Sequence, residues 1–180
     1  MAAARGSSWN SRSRARHDAN VSLMRNNINI HATCVLLAGA GKAFGAPASA
    51  GVLLLGKSGS GKSDLALRLI ALGAKLVSDD RTELFPEKGG LHARTPPTIK
   101  GLLEVRGLGI VALPHAAKAR IALAVSLEHP KSRLPQRDFY STPFALSAPV
   151  PLIRLAPFEA SAPQKILLAV AAFEHNLYRE

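Results

Sequence analysis

Short apolar runs along the chain predict strands. Residues 28–37 are predicted to be a strand, and the fully apolar run at residues 51–55, GVLLL, is of the kind that a sheet buries on both faces. Residues 39–51 between them are rich in Gly and Ala, which predicts a loop. Further strands are predicted at residues 75–78, in a hairpin that turns at residues 87–90, and at residues 108–113 and 121–127.

Two segments have the spacing of an amphipathic helix, at residues 62–72 and 163–178. Their predicted buried faces are Leu65, Leu69 and Leu72 in the first, and Ile166, Val170, Phe173 and Leu177 in the second. Residues 133–157 contain five prolines and are predicted to be mostly loop, with one possible edge strand. Strands and helices in this order predict an α/β domain with a central mixed sheet.

The first 23 residues differ in composition from the rest. They are rich in Ala, Ser, Arg and Asn and show no periodicity, so burial cannot repay the entropy of ordering them. We interpret residues 1–23 as a disordered basic tail or as a start assigned too early, because Met24 stands just before the first predicted strand. An organelle transit peptide is the alternative. The folded domain is then predicted to span residues 24–180.

Composition excludes several protein classes. With 47% hydrophobic and 19% charged residues among 180, the balance is globular, not disordered or collagen-like. The longest apolar run, residues 166–173, is too short to cross a membrane. The lone Cys34 excludes an internal disulfide and a multi-cysteine zinc site, which favours a cytoplasmic location.

The formal net charge is +11, and most of it lies outside residues 1–23. A basic surface suits phosphate ligands, acidic partners or nucleic acid. The basic residues are not interleaved with aromatic ones, which argues against nucleic-acid binding.

GKSGSGKS at residues 56–63 matches the phosphate-loop pattern G-x-x-x-x-G-K-[ST], between a predicted buried strand and a predicted helix. Its glycines let backbone N–H groups turn toward phosphate oxygens, and the helix N-terminus adds partial positive charge. Lys62 can reach the β- and γ-phosphates of a nucleotide, and Ser63 can hold Mg²⁺ through its hydroxyl. The alternative is a glycine-rich structural turn. The residues predicted to bind the nucleotide are Gly56, Lys57, Ser58, Gly59, Ser60, Gly61, Lys62 and Ser63.

Two segments with acidic residues indicate which reaction a phosphate-loop protein of this kind could perform. Asp79 and Asp80 stand where a predicted strand leaves the sheet, and adjacent side chains on extended chain point in opposite directions. One carboxylate can support Mg²⁺ while the other faces an acceptor hydroxyl as a base, although a solvated turn is the alternative. Glu104 and Arg106 lie in an apolar, glycine-rich run, so they must reach solvent, pair or meet a ligand.

The segments GKSGSGKS, LVSDDR and above all LLEVRGLGIV resemble the HPr kinase/phosphorylase family, from about residue 29 to residue 127 and more weakly beyond. The resemblance implies a fold like phosphoenolpyruvate carboxykinase and an ATP- and Mg²⁺-dependent serine kinase. Its protein substrate would be HPr, the phosphocarrier of the sugar phosphotransferase system, and its assembly a homo-oligomer, commonly a hexamer. Many members also remove the phosphoryl group by phosphorolysis, which yields pyrophosphate. The chain resembles the alphaproteobacterial short form without the N-terminal domain, so residues 24–180 would be the catalytic domain.

The resemblance also implies residue roles. Ser63 and Glu104 match the family's Mg²⁺ ligands, with Asp79 as a supporting carboxylate. Asp80 matches the base that takes the proton from the substrate serine, and Lys62 contacts the transferred phosphate.

Two further catalytic residues follow from the resemblance. His31 matches a histidine on the strand before the phosphate loop, and Arg133 matches an arginine after a later strand. The chain departs from the family at residues 39–51, which lengthen the connection after His31. It also departs at residues 156–160, which replace a Pro-Gly-Arg-Asn loop associated with dephosphorylation, so phosphorylase activity stays open.

The sequence leaves three alternatives for the function. One is a related phosphate-loop kinase with another protein or metabolite as acceptor. The second is a non-catalytic nucleotide sensor that acts through a partner, and the third is a nucleic-acid-binding protein suggested only by charge.

Overall fold

The computed structural model describes residues 27–130, 132–133 and 136–178, so the predicted tail at residues 1–23 lies outside the described residues. The helices are Lys62–Ala71 (α1) and Ala162–Glu174 (α2), with short 3-10 helices at Lys42–Phe44 and Pro97–Ile99. The strands are Ile28–Leu36 (β1), Ala50–Leu55 (β2), Lys75–Ser78 (β3), Arg81–Glu87 (β4), Gly90–Arg94 (β5), Leu102–Val105 (β6), Gly109–Ala112 (β7), Lys118–Ser126 (β8), Asp138–Tyr140 (β9) and Val150–Arg154 (β10).

Eight of the strands form one mixed sheet in the order β2-β1-β4-β5-β8-β10-β9, with β3 paired to β1. Since β2 also pairs with β8, the path from β2 through β1, β4, β5 and β8 closes on itself. β6 and β7 form a separate antiparallel hairpin. The predicted mixed α/β architecture is therefore confirmed.

Parallel pairing occurs where the phosphate loop leaves the sheet. β2 runs parallel to β8, and β8 runs parallel to β10. The carboxyl ends of these three strands consequently lie at the same edge, where open α/β sheets bind their ligands. The loop after β2 and the loop after β10 both start from this edge.

β2 is buried on both faces, as its apolar run predicts. Val52, Leu53 and Leu54 are all fully buried. Val52 and Leu54 belong to the core between the sheet and the two helices, whereas Leu53 belongs to the core on the other face. This alternation follows from the two-residue period of a strand, and it anchors the start of the phosphate loop in two cores at once.

The helices end earlier than their apolar spacing predicts. Leu65 and Leu69 of α1 are fully buried, but Leu72 is the C-terminal cap and 43% exposed. α2 ends at Glu174, so Leu177 falls outside the helix and is 47% exposed. Within the described ranges, no helix combines the length and apolar character that a membrane span requires.

Two strands were not predicted as such. β6 carries the charged Glu104 within its four residues, which hides its apolar pattern. β10 contains Pro151, and its pairing with β8 begins only at the next residue, Leu152. Proline is therefore tolerated in this strand, since β8 needs no backbone N–H from it. One edge strand was expected within residues 133–157, whereas this segment holds two strands, β9 at the edge of the sheet and β10 between β9 and β8.

We predict that Gly51→Ala destabilises the fold. A Cβ at Gly51 would lie 2.7 Å from the carbonyl oxygen of Arg120 and 2.8 Å from the Ala119 Cβ, on the paired strand β8. Because backbone must move to admit it, we expect a loss of about 1–3 kcal/mol in the free energy of unfolding, measured by urea denaturation. Gly39→Ala is the control, since a Cβ there meets nothing within 4 Å. Equal stability of the two variants would contradict this packing argument.

Candidate active site

The phosphate loop connects β2 to α1, and two of its glycines adopt a backbone conformation that side chains disfavour. Gly59 has φ of +77° and Gly61 has φ of +90°. Gly61 is also the N-terminal cap residue of α1. Because residues with a Cβ rarely adopt this region, Gly59 and Gly61 are required by the backbone path into the helix.

Lys62 is the first residue of α1, and its side chain folds back beneath the loop. It is only 6% exposed. Its Nζ donates to the carbonyl oxygens of Gly56 at 2.9 Å and Lys57 at 3.0 Å and lies 2.9 Å from Nε2 of His31. These three contacts match the three protons of an ammonium. Burial lowers the pKa of Lys62, and the Asp79 and Asp80 carboxylates oppose that shift.

His31 lies between Lys62 and Asp80. Since the Lys62 ammonium has only donors, Nε2 of His31 accepts and Nδ1 carries the ring proton of a neutral imidazole. Nδ1 is 3.0 Å from the carbonyl oxygen of Asp80 and 2.9 Å from its carboxylate Oδ1. His31 therefore orients Asp80 from the ring nitrogen opposite the one that meets Lys62.

Asp80 occupies a strained turn between β3 and β4. Its φ is +62°, and the N–H of Arg81 donates to the carbonyl oxygen of Asp79 at 2.6 Å across it. A three-residue turn of this kind is rare and costs free energy. The Ser78 hydroxyl, which donates to the carbonyl of Arg81, helps to close it. The turn leaves Asp79 buried and the Asp80 side chain 70% exposed.

The buried Asp79 carboxylate accepts hydrogen bonds from three parts of the fold. The Thr33 hydroxyl on β1 donates at 2.6 Å, and the Ser63 hydroxyl on α1 lies 3.1 and 3.2 Å from its two oxygens. The backbone N–H of Glu104 on β6 donates at 3.2 Å. These donors stabilise a carboxylate that is only 6% exposed.

A cavity of about 310 Å³ brings most of the predicted site residues together. Arg133 does not line it and is exposed in the segment after β8. Gly56, Lys57 and Ser60 of the loop do not line it either, although the first two bind Lys62 through their carbonyls. The predicted residues that do line it are His31, Ser58, Gly59, Gly61, Lys62, Ser63, Asp79, Asp80 and Glu104.

Sequence reasoning missed two residues of this region. Thr33 supports Asp79 from beneath, but a threonine in a strand is too common to signal that role. Phe158 lines the cavity from the loop before α2, far from the motif in sequence. Its exposed fraction of 69% in that loop becomes notable only when the fold is known.

The donor set fits a magnesium-bound nucleotide. Mg²⁺ prefers oxygen ligands, and it is bound in such sites by one or two carboxylates together with substrate phosphates. The Ser63 hydroxyl and the Asp79 carboxylate are adjacent, and Glu104 lines the same cavity. Within the described ranges, no three His, Cys, Asp or Glu side chains form a cluster able to hold a metal by themselves. A hydroxyl beside carboxylates suits an ion whose further ligands are phosphate oxygens.

Comparison with known proteins places this loop in a described family. The model of the HPr serine kinase C-terminal domain matches residues 44–139, more than half of the chain. HPr kinase/phosphorylase 1 of Oceanobacillus iheyensis is 44% identical over an alignment of 87 residues, and the match covers 44% of this chain and 28% of that protein. The HPr kinase/phosphorylase of Neisseria meningitidis is 52% identical over 68 residues, 36% of this chain and 21% of that protein. The matched segments thus span well under half of these relatives.

A solved structure shares the fold. The Hpr(Ser) kinase/phosphatase from Coxiella burnetii superposes with a TM-score of 0.62 at 24% sequence identity. The match covers 83% of this chain and 97% of that chain. It therefore extends beyond residues 44–139 and supports the whole architecture described above.

We predict that Thr33→Val costs more stability than Thr82→Val. Both hydroxyls are fully buried on strands, and valine keeps the shape of the side chain. Thr33 donates to a carboxylate, whereas Thr82 donates to the carbonyl oxygen of Ala32 at 2.8 Å. Because bonds to charged groups are stronger, we expect about 1.5–3 kcal/mol for Thr33→Val and about 0.5–1.5 kcal/mol for Thr82→Val in urea unfolding. The reverse order would show that Asp79 does not depend on Thr33.

Proposed function

The chain belongs to the HPr serine kinase C-terminal domain family, and we propose that it is an ATP- and Mg²⁺-dependent kinase that phosphorylates a serine of the phosphocarrier HPr. The relatives that it matches are named HPr kinase/phosphorylase. One observation carries the proposal. The hydrogen-bonded series Lys62–His31–Asp80 lies beside the Ser63–Asp79 pair on a single cavity.

This arrangement supplies the parts that phosphoryl transfer needs. The loop N–H groups and Lys62 would bind the phosphates and neutralise their charge, because this reaction depends mainly on positioning and electrostatic stabilisation. Ser63 and Asp79 would hold Mg²⁺, with Glu104 as a further ligand from the hairpin. When bound, the ion would supply positive charge that offsets the negative charge developing on the transferring group.

Asp80 would act as the base. Its carboxylate is exposed in the cavity, so a serine hydroxyl of a protein substrate can reach it. The Nδ1–H of His31 would hold the carboxylate in place and leave its second oxygen to take the proton. Asp79 is too buried and too fully hydrogen-bonded for that role. The exposed Asp80 would therefore act as the base, and the buried Asp79 would help to hold the ion.

Lys62→Ala is expected to abolish phosphoryl transfer while the fold remains. Loss of one preorganised charge at the transferring group lowers the rate by roughly 10²–10³-fold or more. The measurement is transfer of label from γ-labelled ATP to HPr, with circular dichroism and urea unfolding as tests of the fold. Lys75→Ala is the control, because Lys75 is an exposed strand lysine outside the cavity. Transfer at the wild-type rate by Lys62→Ala would refute the proposed site.

Asp80→Asn is expected to separate binding from catalysis. Asparagine keeps the size of the side chain but cannot take a proton, so the transfer rate should fall by roughly 10²–10⁴-fold. ATP affinity, measured by calorimetry, should remain close to that of the wild type. Asp138→Asn on β9 is the matched control outside the cavity. Full activity of Asp80→Asn would exclude Asp80 as the base.

The decisive experiment mixes the protein with γ-labelled ATP, Mg²⁺ and either HPr or an HPr variant whose acceptor serine is alanine. Label on wild-type HPr alone supports the proposed serine kinase. Adding inorganic phosphate then tests phosphorolysis, through release of labelled pyrophosphate. Binding or hydrolysis of ATP without label on HPr would point to a kinase with another acceptor or to a nucleotide sensor.

A further inference from the structure

Phe158 contacts the phosphate loop from outside the matched family segment. It lies in the loop between β10 and α2, beyond residue 139. A Cβ at Gly61 would lie 2.9 Å from Cζ and 3.1 Å from Cε1 of its ring. The ring therefore packs directly on the backbone of Gly61, at the N-terminus of α1. The remaining surface of the ring is open, since 69% of the residue is exposed at the wall of the cavity.

The loop that carries Phe158 is fastened to α1. The Arg68 guanidinium donates from Nη1 to the carbonyl of Pro157 at 2.8 Å. Its Nη2 donates to the carbonyls of Glu159 at 2.8 Å and Ala160 at 3.0 Å. Lys165 forms an ion pair with the Glu159 carboxylate. An exposed aromatic ring is thus held in place by polar bonds on both sides of it, instead of collapsing into the core.

The position of the ring matches one part of a nucleotide. β2, β8 and β10 are parallel, so the loop after β10 and the phosphate loop share one edge of the sheet. Phosphates bound by the loop N–H groups and Lys62 would occupy the polar end of the cavity. The large apolar side chains that line the cavity are Leu67, Val105 and Phe158. The exposed Phe158 ring can accept a flat, apolar group joined to phosphates.

We propose that Phe158 is a stacking platform for the base of the nucleotide. The proposal rests on the proposed function, in that a nucleotide occupies the phosphate loop. Every base offers a π-face, so stacking on Phe158 strengthens nucleotide binding with little discrimination between adenine and guanine. The ring is preorganised by the bonds of Arg68, which reduces the entropy lost on binding. Phe158 would contribute to binding of the nucleotide and not to the proton or phosphoryl transfer, because a phenyl ring has no group that can take part in either.

Calorimetry with three Mg²⁺-bound probes tests the proposal: ATP, GTP and inorganic tripolyphosphate. Phe158→Ala should weaken the binding of ATP and of GTP roughly 5- to 150-fold, the range that corresponds to about 1–3 kcal/mol for base–aromatic stacking. Its affinity for tripolyphosphate should equal that of the wild type, because the phosphate contacts remain. Phe158→Leu keeps an apolar side chain without a π-face and should recover only part of the loss. Phe139→Ala, an exposed phenyl on β9 outside the cavity, is the control.

Direct contact is tested by fluorescence. Phe158→Trp should restore ATP affinity, and the introduced indole should change its emission on binding ATP but not on binding tripolyphosphate. The change is measured in a Trp9→Phe background, because Trp9 is the chain's only tryptophan.

Several results would overturn the proposal. If Phe158→Ala weakens the binding of ATP and of tripolyphosphate equally, the ring supports the backbone at Gly61 and does not stack on the base. Tighter ATP binding would mean that the ring blocks the position of the base. Failure of the wild type to bind ATP would overturn both proposals, whereas ATP binding that depends on Phe158 without transfer to HPr would overturn only the kinase.

Discussion

The parts of the molecule that form the cavity meet at the buried carboxylate of Asp79. Thr33 on β1, Ser63 on α1 and the backbone N–H of Glu104 on β6 all donate to it. A carboxylate removed from water is tolerated only when such donors replace its hydration. The requirement therefore links the sheet, the helix after the phosphate loop and the separate β6–β7 hairpin. It also leaves the Ser63 hydroxyl beside an anionic oxygen, which is the chemistry that a hard cation selects.

The neighbouring acid, Asp80, is exposed because of the backbone conformation between β3 and β4. The positive φ of Asp80 turns the chain within three residues, so both acids line the cavity but Asp79 is buried there and the Asp80 side chain is exposed. The strain is retained because Ser78 and His31 hold the turn from both sides. Local strain of this kind is tolerated where the surrounding structure determines the conformation more strongly than the residue's own preference. Two adjacent aspartates can thereby take different proposed roles.

The parallel pairing of β2, β8 and β10 determines which other loop lies beside the phosphate loop. Since β10 runs parallel to β8 and β2, the loop that follows it returns to the same edge. Arg68 then joins this loop to α1 through three carbonyl oxygens. The loop between β10 and α2 is consequently the one that contacts Gly61. Variation in that loop can alter the cavity while the loop of residues 56–63 stays unchanged.

Sequence patterns predicted the phosphate loop, its flanking strand and helix, and the pair of acids after β3, because each rests on chemistry local to a few residues. Glycine tolerates positive φ, and an apolar run of period two or 3.6 indicates which face is buried. Only the tertiary structure placed Nε2 of His31 on Lys62, Thr33 beneath Asp79 and Phe158 on Gly61. It also showed that Leu72 and Leu177 lie beyond the buried helix faces. These contacts join residues that are distant along the chain, and their register depends on strand pairing and helix ends that no local pattern specifies.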